Sequence, residues 1–137
     1  MTARRTSGFT FIELLVTLTV LGALSAIAVP RYRDYTRRAR VAALQGDLGN
    51  LRVAQEEHWA DYQRYATDTS SLGLRTTTDV SIRLSSEDVA GGYTAVATHR
   101  LVPGQQCSTA MGREAAPREP GAIYCGPAGS GAGTLLP

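Results

Sequence analysis

The sequence predicts an α+β fold: a long N-terminal α-helix, its first half of membrane-spanning length, packed through its second half on a small antiparallel β-sheet of three or four strands. Three observations predict it. Residues 9–29 form an apolar run with a single charge, and a helical period resumes beyond it. Segments that alternate with a strand period of two follow after residue 79. Two cysteines, Cys107 and Cys125, flank a stretch containing Pro, Gly and Arg near the C-terminus. At 137 residues the chain suffices for one small domain plus a long helix. The net charge of +2 is too small to point to a partner, and every basic residue is arginine.

Residues 9–29 would make about 32 Å of helix, enough to cross a hydrocarbon core about 30 Å thick. Gly22 weakens this helix by up to about 1 kcal/mol relative to alanine. Pro30 cannot donate a hydrogen bond to Ala26 and is expected to kink or interrupt it. From Arg31 the helical period returns. Leu44, Leu48, Leu51, Ala54, His58, Tyr62 and Tyr65 recur at spacings of three or four and form one stripe, with Trp59 beside it. Arg52, Glu56, Glu57, Asp61 and Arg64 fall largely on other faces, and Gly46 and Gly49 would allow close packing. Residues 66–73, rich in Thr, Ser and Asp, read as a loop. The first strand candidate is Val80–Ser85, with Val80, Ile82 and Leu84 inward. The second, 93–102, opens at Gly91-Gly92 and places Tyr93, Ala95, Ala97, His99 and Leu101 on one face. A third covers 122–125. The interval 103–121 reads as loop, and 126–137 as a flexible tail rich in Gly and Ala.

The one charge in the apolar run is Glu13. A carboxylate near mid-bilayer costs about 2.5–3.5 kcal/mol on the insertion scale, so it calls for an answering group. Upstream stand Arg4, Arg5 and Gly8. A short basic leader, a glycine, an aromatic, three residues, a glutamate and an apolar helix together resemble the type III signal of type IV pilins and pseudopilins. Further on, Tyr65-Ala66-Thr67-Asp68 followed by Leu72-Gly73-Leu74 resembles the helix-to-sheet connection of minor pilins of the PilE type.

The resemblance implies the type IV pilin fold and a definite processing route. A prepilin peptidase would cut between Gly8 and Phe9 and N-methylate Phe9. The new amine, with an ordinary pKa of about 7.7–8.0, is mostly protonated near neutral pH. In the assembled filament Glu13 of one subunit would pair with the Phe9 amine of a neighbour. Losing one partner of a buried pair costs roughly 3–5 kcal/mol, enough to enforce register. The segment between Gly22 and Pro30 would be helical in the free subunit and stretched in the filament. The expected organisation is a leader at 1–8, a transmembrane and filament-core helix at 9–29, a globular domain at 30–125 and a tail at 126–137. Implied partners are other pilins in a homo- or hetero-polymer, the peptidase, an inner-membrane assembly platform, and membrane lipid before assembly. The subunit would cross the inner membrane once with its C-terminal domain outside, then join an extracellular pilus serving adhesion, motility or DNA uptake. An alternative is a pseudopilin of a type II secretion system, and a further one an anchored domain that never polymerises. Export would let Cys107 and Cys125 pair and staple the C-terminal segment to the sheet. Closing that loop contributes roughly 3 kcal/mol in the chain-entropy model. Major pseudopilins typically carry a calcium site in place of such a staple, and Glu114 and Glu119 stand apart among Pro and Arg, unlike a cluster of calcium ligands.

Arg31, Arg33, Arg37, Arg38 and Arg40, with Asp34 among them, crowd the C-terminal side of the run. If that side faces outward, the count opposes the positive-inside rule, since only Arg4 and Arg5 lie on the other side. Three readings stay open: anionic lipid headgroups before assembly, acids of adjacent subunits after it, or a solvated face. DNA as a partner lacks support, because only Tyr32 and Tyr35 interleave these arginines. Neither a nucleophile–base pair nor a phosphate loop is visible: Gly129-Ser130-Gly131-Ala132-Gly133 lacks the lysine and the strand–helix context. His58 and His99 suggest no metal box, so no enzyme, metal or cofactor is expected. One rival signal remains: Arg4 and Arg5 as a basic region, an apolar core, and Ala26-Ile27-Ala28 as a small-x-small cut before Val29. The charge within the core and the helical pattern through that cut oppose it. Intact-mass measurement of the exported chain is expected to find Phe9 at the N-terminus; a chain starting at Val29 would remove the pilin reading.

Overall fold

The computed structural model describes residues 8–129 and the backbone of Thr134 and Leu135. The leader as far as residue 7, and tail residues 130–133 and 136–137, lie outside the described residues. The chain divides into two units, Met1–Thr36 and Arg37–Pro137.

One helix, α1, runs Phe11–Tyr62 and belongs to both units. It continues through Gly22 and Pro30, so the interruption expected at Pro30 does not occur. A proline inside a helix removes one donor, and the flanking turns keep theirs. Within the C-terminal unit the buried face of α1 is Leu44, Asp47, Leu48, Leu51 and Gln55. The expected stripe therefore holds at its three leucines and at Tyr65, which packs against the core, and fails at Tyr62. Tyr62 is 61 % exposed, and two polar residues that fell outside the stripe are in the core. A Cβ on Gly46 or Gly49 would meet open space among the described residues.

The sheet is an antiparallel meander in the order β1-β2-β3-β4-β5. Its strands are β1 Val80–Ser85, β2 Gly92–His99, β3 Gln105–Gly112, β4 Ile123–Pro127 and the two-residue β5 Thr134–Leu135. β1 falls where the alternation placed it, with Val80, Ile82 and Leu84 packed on the core. β2 buries Tyr93, Ala95, Ala97 and His99 as expected, but it ends at His99, and Leu101 is exposed. β3 lies inside the interval expected to be loop. Its turn was readable: in Val102-Pro103-Gly104-Gln105 the Gln105 N–H donates to the Val102 carbonyl, and Gly104 has φ +82°. Proline followed by a positive-φ glycine is the type II turn signature. β3 itself, Gln-Gln-Cys-Ser-Thr-Ala-Met-Gly, is polar and small. It is held by ladders to β2 and β4 rather than by its own hydrophobicity. At the far end of the β2–β3 ladder Gly92 opposes Gly112, and a Cβ on Gly112 would strike the Gly91 carbonyl oxygen. Gly126 and Pro127, expected to open the tail, instead complete β4.

The core joins Leu44, Leu48 and Leu51 of the helix to Tyr93, Ala95, Ala97, Cys107 and Cys125 of the sheet. Small strand side chains let the leucines approach the sheet closely. Two polar anchors fix the helix-to-sheet connection. The Gln55 amide donates to the Ala66 carbonyl and accepts from the Ala66 N–H, both at 2.8 Å. The Asp47 carboxylate accepts from the Thr77 N–H at 2.8 Å and from its hydroxyl at 3.0 Å. A buried amide or carboxylate is tolerable when so paired. On the other side of the connection Tyr65 stacks at 5.0 Å from Tyr93, between centroids.

The Tyr93 hydroxyl is buried and makes no hydrogen bond. Burial, reinforced by the Glu56 carboxylate, pushes its phenol up to about 12. An ordinary tyrosine titrates near pH 10. With the folded value raised, the stability contributed by a neutral Tyr93 is complete below about pH 10 and is lost as pH climbs towards about 12, where only the unfolded chain ionises. Ultraviolet titration is expected to show one of the 6 tyrosines ionising late, and Tyr93→Phe to delete that late phase without destabilising the fold at neutral pH.

Candidate functional site

Residues 11–29 of α1 are uncovered on every side. No position of their most apolar 18-residue window is buried, and that window's mean hydropathy is 2.2. Among the described residues this is the one helix long and apolar enough to cross a membrane. Its two internal threonines do not spoil the apolar surface, because Thr17 and Thr19 donate at 2.8 Å to the Leu14 and Val16 carbonyls. Gly22 opens onto empty space. Exposed apolar surface of this extent marks contact with a membrane or a protein.

The helix begins one residue after Thr10. Thr10 is the N-cap: its Oγ1 accepts from the Glu13 N–H at 3.3 Å and donates to the Glu13 carboxylate at 3.5 Å. Thr10-Phe11-Ile12-Glu13 thus has the Thr-x-x-Glu spacing of a capping box. That spacing is the sequence signal that marks Thr10 as the cap. Glu13 also sits in the first turn, where the helix dipole favours an anion. Within the subunit the acid is answered only by this neutral hydroxyl and the helix end, and it forms no ion pair among the described residues. Phe9 precedes the helix and is 76 % exposed; Gly8 is exposed beside it.

The remaining site residues lie further along. Arg31, Arg33, Arg37 and Arg38 are exposed and form no ion pairs among the described residues, whereas Arg40 donates to the Leu101 carbonyl at 3.4 Å. Cys107 and Cys125 are directly opposite in the β3–β4 ladder and form a disulfide. On the other face of the sheet a cavity of about 260 Å³ is bordered by Thr94, Ser108, Glu114, Arg118 and Tyr124. Both Glu114 oxygens there are occupied, by the Glu87 N–H at 2.7 Å and the Thr94 hydroxyl at 3.0 Å. That carboxylate secures the loop after β3.

An uncovered, span-length apolar helix with one acid in its first turn, continuing into the helix of a small α+β domain, defines a pilin-like protein. The prokaryotic N-terminal methylation motif matches residues 3–29. The chain is similar to a fimbrial protein of Neisseria meningitidis serogroup A, 33 % identical over 53 % of this chain and 43 % of the relative. Fimbrial protein EcpC of Eikenella corrodens is 33 % identical over 51 % of the chain and 46 % of its own length. Type IV major fimbrial protein FimA of Dichelobacter nodosus is 41 % identical over 36 % of the chain and 31 % of its own length. The chain spans less than half the length of each of these relatives. The motif and these likenesses make the chain similar to type IV fimbrial proteins over its N-terminal half.

Loss of an N-cap costs about 1 kcal/mol, a factor of about five in local opening. In detergent micelles Thr10→Ala is expected to speed amide exchange at Glu13 by about that factor, and Thr10→Ser to restore the original rate.

Proposed function

We propose that this chain is a structural subunit of a type IV pilus that polymerises through residues 9–29. The subunit waits in the inner membrane as a single-pass protein with residues 30–125 outside. A prepilin peptidase removes residues 1–8 and methylates Phe9. An assembly platform then moves the helix from lipid into the filament core, where Glu13 meets the Phe9 amine of a neighbouring subunit. The filament serves adhesion, motility or DNA uptake.

One observation carries this reading: Glu13 stands in the first turn of an uncovered apolar helix with no opposing charge in its own described chain. A neutral cap at 3.3–3.5 Å is a weak answer to a carboxylate. A charged amine gives shorter bonds, about 2.7–2.9 Å, roughly twice as strong. The helical state of the segment between Gly22 and Pro30 is compatible with stretching on assembly, since Pro30 already leaves one carbonyl without its helical donor. The Cys107–Cys125 disulfide and the fimbrial names of the relatives favour a pilus over a secretion pseudopilin.

Glu13→Ala is expected to insert in the membrane as the wild type does. Without the ion pair, its incorporation into sheared surface filaments should fall by at least a hundredfold, as expected from the roughly 3–5 kcal/mol cost of breaking a buried pair. Quantitative immunoblots of membrane and filament fractions check this. Undiminished incorporation would leave a passive anchor as the better account.

A further inference from the structure

Directly after the apolar run α1 carries Arg31, Tyr32, Arg33 and Tyr35, all within the N-terminal unit. All are exposed, Tyr32 at 68 % and Tyr35 at 72 %. Among the described residues neither arginine forms an ion pair, and the intervening Asp34 pairs with neither. We infer that Arg31, Tyr32, Arg33 and Tyr35 form a collar that binds anionic phospholipid headgroups in the leaflet where the helix emerges, holding the subunit at fixed depth before assembly. The inference rests on the membrane-resident stage of the proposed function.

Depth is the first argument. Residues 11–29 of α1 rise about 29 Å, which fills a hydrocarbon core about 30 Å thick. The next five residues, from Arg31 to Tyr35, cover about 6 Å, comparable to a headgroup layer of about 5–8 Å per side. Tyrosine favours this layer because its ring is apolar and its hydroxyl is wet. Arginine suits it because a long aliphatic stem lies along lipid while the planar guanidinium takes two phosphate oxygens.

Angular distribution is the second argument, and it separates lipid from protein. Successive helical residues turn by about 100°, so Arg31 and Arg33 point about 200° apart, to nearly opposite sides of the axis. The two tyrosines fall about 40° and 100° from Arg31. A single neighbouring subunit presents its acids to one side of a helix and would meet only one of these arginines, so in a filament two different neighbours would each have to supply an acid. A headgroup layer surrounds a spanning helix and meets both. The sign of the charge is the third argument. Arginines on the outer side of a span oppose insertion in that orientation, and binding to anionic headgroups offsets that bias.

The full-length chain, wild type and Arg31→Gln/Arg33→Gln, is reconstituted in phosphatidylcholine vesicles with a minority of phosphatidylglycerol. Electron spin resonance of spin-labelled lipids then gives the relative association of the two headgroups with the protein. Wild type is expected to prefer phosphatidylglycerol, and the double variant to lose about fivefold of that preference per arginine. Raising salt from about 0.1 M to 1 M shortens the screening length from about 10 Å to 3 Å and should erase the difference between the two proteins. Equal preference in wild type and double variant overturns the inference. So does an unchanged lipid preference accompanied by loss of subunit crosslinking in filaments, which would give these arginines to neighbouring acids. The vesicles contain no assembly machinery, so failure of Glu13-dependent polymerisation leaves this measurement untouched. A chain cut before Val29 would instead fail to associate with either vesicle.

Discussion

The large apolar side chains from Phe9 to Val29, twelve in number, stand uncovered on or beside the first half of α1. Each is worth about 1.5–3 kcal/mol when fully buried, so covering them yields on the order of 20 kcal/mol, more than the 5–15 kcal/mol margin of a whole domain. Water is an untenable surrounding for this helix. Lipid and protein both cover it, and the hydrophobic effect barely distinguishes them because acyl chains are as apolar as leucine. Any preference for a filament over a bilayer must therefore come from packing and from polar groups that lipid cannot satisfy. Residues 9–29 contain one ionisable side chain, Glu13, and the structure holds it at the end of the helix with a weak neutral cap.

The C-terminal unit solves a different problem. Its core is small, and its helix leucines, Leu44, Leu48 and Leu51, fall within about two turns. Hydrophobic burial alone would leave the helix free to slide on the sheet, because apolar contact is not directional. Asp47 and Gln55 supply direction. Asp47 lies among the leucines and Gln55 one turn beyond them, and they reach Thr77 and Ala66, so the chain leaving the helix is fixed before β1 begins. The disulfide acts at the opposite end of the topology, joining β3 to β4 where the sequence of β3 contributes little apolar surface. An exported domain gains from covalent and directional contacts of this kind when its core is modest.

Much of this was legible in the chain. The apolar run, Glu13, the leucines at 44, 48 and 51, and the strand at Val80–Ser85 are local patterns with a period of 3.6 or 2, and local period is what a sequence displays directly. Thr10 is equally legible through the Thr-x-x-Glu spacing of a capping box. The turn at Pro103-Gly104 was legible too, but no apolar alternation followed it to mark a strand. Pro30 does not interrupt α1, because its local preference against helix is outweighed by helix on both sides.

What the sequence determined alone is the division of labour along the helix, an apolar half with one acid and an amphipathic half that carries a domain, because each depends only on neighbours within a few turns. What only the tertiary structure decided is the burial of Asp47 and Gln55, the existence of β3, and the placing of Cys107 against Cys125. Those depend on hydrogen-bond partners between 11 and 30 residues away, or on ladders to adjacent strands. A polar side chain states its need for a partner but not where in the fold that partner will be.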